Sequence, residues 1–205
     1  MAKSSGSDRK GSGGGIGNDG GGAYGGDIKK KESLKNIKDR ELQREIQQGI
    51  SKYESRLGLR TQNIMMAELS GAYGVHVTVN GKSEGVYLDK KTFKNGTVEK
   101  INKVKRSAYK SKFLTATNKP VQHTIVHELG HATWNSHLKS SQAIAAERVI
   151  KTQYKKFLKE NPKGYGKYSK SNVNEFWAEA TTKAVLGTSD EYTRFVKKTI
   201  KKYKL

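Results

Sequence analysis

Apolar residues recur at three-to-four spacing through most of this chain and alternate in only one short region. Ile46, Ile50, Tyr53 and Leu57 follow one another at steps of four, three and four, with Leu34, Ile37 and Leu42 upstream. That period predicts an amphipathic helix within 28–58, with Ser33 as its cap. Residues 59–95 read as sheet. Val75, Val77 and Val79 alternate with His76, Thr78 and Asn80, Asn80-Gly81 is a hairpin turn, and Gly85-Val86-Tyr87-Leu88 is the returning strand. Ile64, Met65, Met66 and Leu69 fit either a buried strand or a helical turn. From 96 to 205 the period is helical again. Thr97 caps a helix through about Tyr109, with Ile101, Val104 and Ala108 inward. Pro120 and Asn118 begin another over 120–137. A third, 141–160, turns Ile144, Val149, Tyr154, Phe157 and Leu158 to the core and stops at Asn161-Pro162. After a glycine- and tyrosine-rich loop at 163–171, a helix starts at Asn172 or Asn174 and ends near Gly187. A last helix, from Ser189 to Tyr203, buries Tyr192, Phe195, Val196 and Ile200.

Residues 1–27 hold 11 of the chain's 22 glycines. A segment so poor in apolar surface cannot offset the entropy of ordering itself, which predicts a disordered tail. The expected fold is α+β: one domain over 28–205, with a small antiparallel sheet and several helices.

Composition narrows the partners. The chain has no cysteine, so disulfides and thiolate metal sites are excluded and a metal must be held by His and carboxylate. No apolar run reaches the length of a membrane span, and the amino terminus lacks an apolar signal core. The expected location is cytoplasmic or within a virion. Lys and Arg number 40 against 19 Asp and Glu, a net +21. Such a surplus attracts polyanions, nucleic acid among them, without base-reading specificity.

The candidate chemistry lies in the 120–137 helix, which carries His127-Glu128-Leu129-Gly130-His131. Histidines four apart project from one face and can share a Zn²⁺ ion. Glu128 lies about 100° round the helix, placed for a general base rather than a ligand. A bound zinc ion would acidify a water and polarise a carbonyl.

Two residues compete for the third ligand. His137, six residues beyond His131, gives the histidine spacing of a metzincin. Trp134 occupies that family's glycine position, however, and no methionine follows the motif. Glu175, with Glu179 one turn later, lies among apolar residues in Asn174-Glu175-Phe176-Trp177-Ala178-Glu179-Ala180. Buried carboxylates require partners, which a metal and a ligating imidazole would supply. His123 extends the histidine row by one turn; it reads as a packed or hydrogen-bonded helix residue, with support of a ligand as the alternative. His76 reads as a rim residue.

HELGH at 127–131, a glutamate 44 residues after His131 and a tyrosine seven residues before that glutamate resemble the anthrax lethal-factor-like gluzincin metallopeptidases. Related domains occur in phage head-associated proteins. The resemblance covers 121–186. It implies a zincin-like fold that hydrolyses peptide bonds of a protein or peptide substrate. It also implies His127, His131 and Glu175 as zinc ligands, Glu128 as general base, Tyr168 as the group stabilising the oxyanion or leaving group, and Glu179 as support for a ligand. Tyr165 competes with Tyr168 in the same loop. The alternative is a basic structural or nucleic-acid-associated virion protein whose zinc site is secondary.

Overall fold

The computed structural model describes residues 28–61, 63–79, 82–135 and 141–205. The 1–27 segment, the Asn80-Gly81 turn and His137 lie outside the described residues. Within them the chain is mixed α+β, with seven α-helices and one four-stranded sheet. No helix is long and apolar enough to cross a membrane.

The sheet contains β1 (Glu32–Ser33), β2 (Ile64–Ala67), β3 (Gly74–Val79) and β4 (Lys82–Asp89), in the order β1-β2-β4-β3. It is mixed, not antiparallel as expected. β3 pairs antiparallel with β4 and β1 with β2, but β2 and β4 run parallel, Ile64 opposite Val86. The chain reverses between β2 and β3 and again between β3 and β4, so β4 returns in the direction of β2 and fills the place between them. Val86 and Leu88 pack on the helices, while Val75, Val77 and Tyr87 form a separate apolar cluster with Ala67.

The first helix starts later than expected. Glu32 and Ser33 pair with Met66 and Met65, and Ser33 caps only the single 3-10 turn Leu34–Asn36. Helix α1 spans Arg40–Leu57 and is capped by Asp39, whose carboxylate accepts the Leu42 N–H at 2.7 Å. A short α2, Lys90–Lys94, was not predicted; Asp89 ends β4 and caps it through the Thr92 N–H at 2.8 Å. In α3 (Val98–Lys110) Thr97 is the cap. Val104 is exposed there, and Lys105 takes its expected inward place at 2% exposure, its ammonium over the Tyr73 ring. The aliphatic stem of a lysine can bury where its charge finds an aromatic face.

Helix α4 (Pro120–Asn135) is the centre of the molecule: each residue from Pro120 to Trp134 is buried. One core, with α1 and the sheet, packs on Val121, Ile125 and Leu129. A second, built on α5 (Ser141–Glu160), α6 (Val173–Leu186) and α7 (Glu191–Tyr203), includes Trp134, Phe157, Phe176 and Trp177. The expected face of α5 is corrected: Ile144, Val149 and Leu158 are exposed, and Ala143, Ala146, Ile150 and Phe157 face inward. Small alanines on the inner face let α5 lie close to its neighbours, a preference that residue size alone misreads.

Candidate metal centre

The site exists because α4 and α6 approach closely. A side chain on Gly130 would meet the Ala178 Cα at 2.9 Å and the Thr181 Cβ at 3.3 Å. The Trp177 indole N–H donates to the Gly130 carbonyl at 3.1 Å. The glycine inside HELGH thus lets the second helix lie against the first. Asn172 caps α6 by accepting the N–H groups of Asn174 and Glu175, which sets Glu175 in the first turn.

Three donor atoms from these helices converge. Nε2 of His127 lies 3.1 Å from Nε2 of His131, and Glu175 Oε2 lies 3.1 Å from the former and 3.5 Å from the latter. A tetrahedral ion bound at about 2.0–2.1 Å sets its ligands about 3.3 Å apart, so the triangle fits one such ion. Glu175 Oε2 is buried and meets neither imidazole along a hydrogen-bonding direction, as expected of lone pairs aimed at a common point. Two neutral imidazoles and a carboxylate suit a borderline ion such as zinc. These three residues form one of two groups among the described residues able to hold a metal; the other is His123, His127 and Glu179.

The second group is better satisfied by hydrogen bonds. Glu179 is fully buried. Its Oε1 receives His123 Nε2 at 3.0 Å and His127 Nδ1 at 3.1 Å, and its Oε2 accepts the Thr115 N–H at 2.8 Å. His123 Nδ1 meets the Tyr109 hydroxyl at 2.8 Å. One consistent set of protons follows. Tyr109 donates to Nδ1 of His123, whose Nε2–H donates to Glu179. His127 donates through Nδ1–H, leaving its Nε2 lone pair toward His131 and Glu175. His123 is therefore part of the support and not merely packed.

Charge agrees with this assignment. Burial opposes a charge on His127, but Glu175 and Glu179 override it and hold its pKa well above the ordinary histidine value. Burial likewise pushes Glu175 up, yet His127 and His131 bring it down to about 2. Glu179 is held well below the carboxylate range by His123 and His127 against its own desolvation. Two buried carboxylates meeting at one imidazole demand a positive charge there, as a proton or as a metal.

Tyr168 and Tyr165 separate clearly. Tyr168 stacks on His127, ring centroids 5.8 Å apart, and packs on Phe113 at 5.2 Å. The 3-10 turn Lys167–Lys170 holds it, with the Lys167 and Tyr168 N–H groups donating to the carbonyls of Lys112 and Phe113 at 2.8 Å. A side chain on Gly166 would meet the Leu114 carbonyl carbon at 2.2 Å, so only glycine lets this turn close. Tyr165 points elsewhere, its hydroxyl on Asp190 and its ring between Phe157 and Tyr192.

Strand β3 covers the other side of α4. A side chain on Gly74 would lie 2.8 Å from Glu128 Cγ, so the strand begins directly against the candidate base. His76, two residues on, shares that face, since it pairs with Val86 of the helix-facing side. It is 1% exposed and not a rim residue. Ser83 Oγ lies 2.8 Å from its Nε2, while Nδ1 is buried without a hydrogen bond. Burial and the neighbouring His131 lower its pKa to about 4. Alternation showed only a polar residue between valines and gave no sign that this side of the strand meets a second polar surface.

Among the six site residues expected from the sequence, His127, His131, Glu175, Glu179 and Tyr168 meet around one imidazole, and Glu128 lies beside them under β3. His137 lies outside the described residues. No family model, curated protein or solved structure matches the chain.

Proposed function

We propose that this chain is a zinc-dependent metalloendopeptidase of the lethal-factor-like gluzincin type, with a zincin-like domain. The observation that carries the reading is the triangle of His127 Nε2, His131 Nε2 and Glu175 Oε2, drawn from two helices and backed by Glu179. A zinc ion held there would supply a Lewis acid for a scissile carbonyl and for water.

The remaining work belongs to the chain's own side chains. Glu128 takes a proton from the attacking water as its oxygen bonds to the carbonyl carbon. It returns that proton to the departing amine as the C–N bond breaks. The Tyr168 hydroxyl donates to the oxygen that gains negative charge. Glu179 accepts from Nδ1 of His127 and so fixes the ring with Nε2 turned toward His131 and Glu175. Among the described residues β3 is the outer strand of the sheet, and such an edge suits an extended peptide added as a further strand.

Purified protein should cleave casein or a peptide library with zinc and lose that cleavage on chelation. Glu128→Gln should reduce kcat by at least about a thousandfold while zinc content stays at the wild-type level. A Gln variant as active as wild type would remove Glu128 from the chemistry. A wild type that takes up no zinc would end the reading.

A further inference from the structure

Apart from the metal centre, a concavity among the described residues is ringed by cations that no acid pairs. A cavity of about 650 Å³ lies between the end of α1 and the outer side of α7, ringed by Arg56, Lys197, Lys201 and Lys204. Lys197 and Lys201 lie one turn apart on α7, and Lys204 follows at the left-handed residue that ends the helix, φ 53°. Gly58, in the left-handed conformation at φ 68°, turns the chain after Arg56 so that Leu57 and Leu59 reach the cavity. All four cations are exposed, and among the described residues no carboxylate pairs with any of them. Some other lysines do find acids: Lys183 meets Asp190 at 2.8 Å and Lys151 meets Glu147 at 2.6 Å. The four cations of this cavity gain nothing for the fold by standing together, since like charges on adjacent turns repel.

We infer that this cavity binds the phosphodiester backbone of a nucleic-acid strand. Converging, unpaired Lys and Arg match a row of phosphates, and the gain comes mainly from release of the counterions those phosphates hold. Lys198 and Lys202 continue the positive track along the exposed side of α7. An anionic membrane fits less well. Peripheral binding needs protruding apolar side chains beside the cations. Here Ile200 and Leu205 are 4% and 7% exposed, Leu57 and Leu59 are partly buried and packed against the cores, and none of the exposed large apolar residues lines the cavity. The described residues that line the cavity besides these cations are glycine and apolar side chains, so the binding is to backbone rather than sequence. The site is independent of the peptidase reading.

The test is fluorescence anisotropy with the full chain and labelled DNA oligonucleotides, single-stranded and duplex, over a range of salt. The variant Arg56→Gln/Lys197→Gln/Lys201→Gln/Lys204→Gln is compared with Lys100→Gln/Lys103→Gln/Arg106→Gln/Lys110→Gln. The second set removes the same charge from α3, where Glu41 and Glu99 share the surface. The first variant should weaken binding at least about tenfold and flatten the salt dependence by roughly three to four ions. The second should change affinity by less than about threefold. Equal losses would show diffuse charge without a site and overturn the inference. So would no binding by wild type, or tighter binding to phosphatidylcholine vesicles carrying phosphatidylserine than to DNA.

Discussion

Single atoms decide much of this site. Gly74 is small because Glu128 fills the space a side chain would take. Gly74→Ala should displace the Glu128 carboxylate and lower kcat about tenfold or more, with zinc content unchanged. An unchanged kcat would show that Glu128 tolerates the shift. Glu179 accepts three N–H groups in the interior, two of them imidazole. Glu179→Gln should weaken zinc about 10- to 100-fold in a competition titration with a chromophoric chelator. Wild-type affinity in that variant would mean that His127 needs no such support. Glu175 and Glu179 were legible as a pair because two acids in an apolar helix must be neutralised by something. Gly74 and Thr115 were not, because their roles are one of space and one of backbone N–H, and neither leaves a mark in residue type.

At the level of elements, the α4 and α6 pattern could be read because caps and stops bounded it: Asn172 and Gly187 bracket α6 where the sequence suggested. The start of α1 and the inner face of α5 could not. At the first, two residues gained more from strand pairing than from helix. At the second, alanines rather than large apolar residues face the core. The β1–α2 junction carries its own test. Glu32 lies 2.8 Å from Lys90 and 2.7 Å from Lys94, and accepts from Asn36; these contacts, Lys90 foremost, bring its pKa from 4.5 to about 2. A lowered carboxylate pKa adds stability above the unfolded value and loses it as pH falls toward the folded one. Glu32→Gln should therefore have a lower Tm than wild type at pH 7, and the gap should close between pH 4.5 and about 2. A gap that does not vary with pH would assign the effect to packing instead of charge.

Among the described residues the two larger cores lie on either side of one buried helix, with the metal-binding atoms where the second core's α6 meets it. The sequence announced that helix through its motif and its apolar flanks. The parallel seam between β2 and β4 was hidden, since strand direction follows from where the chain crosses the sheet, which alternation does not record. The net charge of +21 could be counted, but that Arg56 of α1 meets Lys197 and Lys201 of α7 around one cavity could not be read from it. The central claim is that Glu175 completes a metal site with His127 and His131. Its most direct test is the zinc content, after dialysis against trace metal-free buffer, of wild type, Glu175→Ala and His137→Ala. Stoichiometric zinc in wild type and in His137→Ala, with a large loss in Glu175→Ala, is the expected result. Full zinc in Glu175→Ala, or loss confined to His137→Ala, would contradict it.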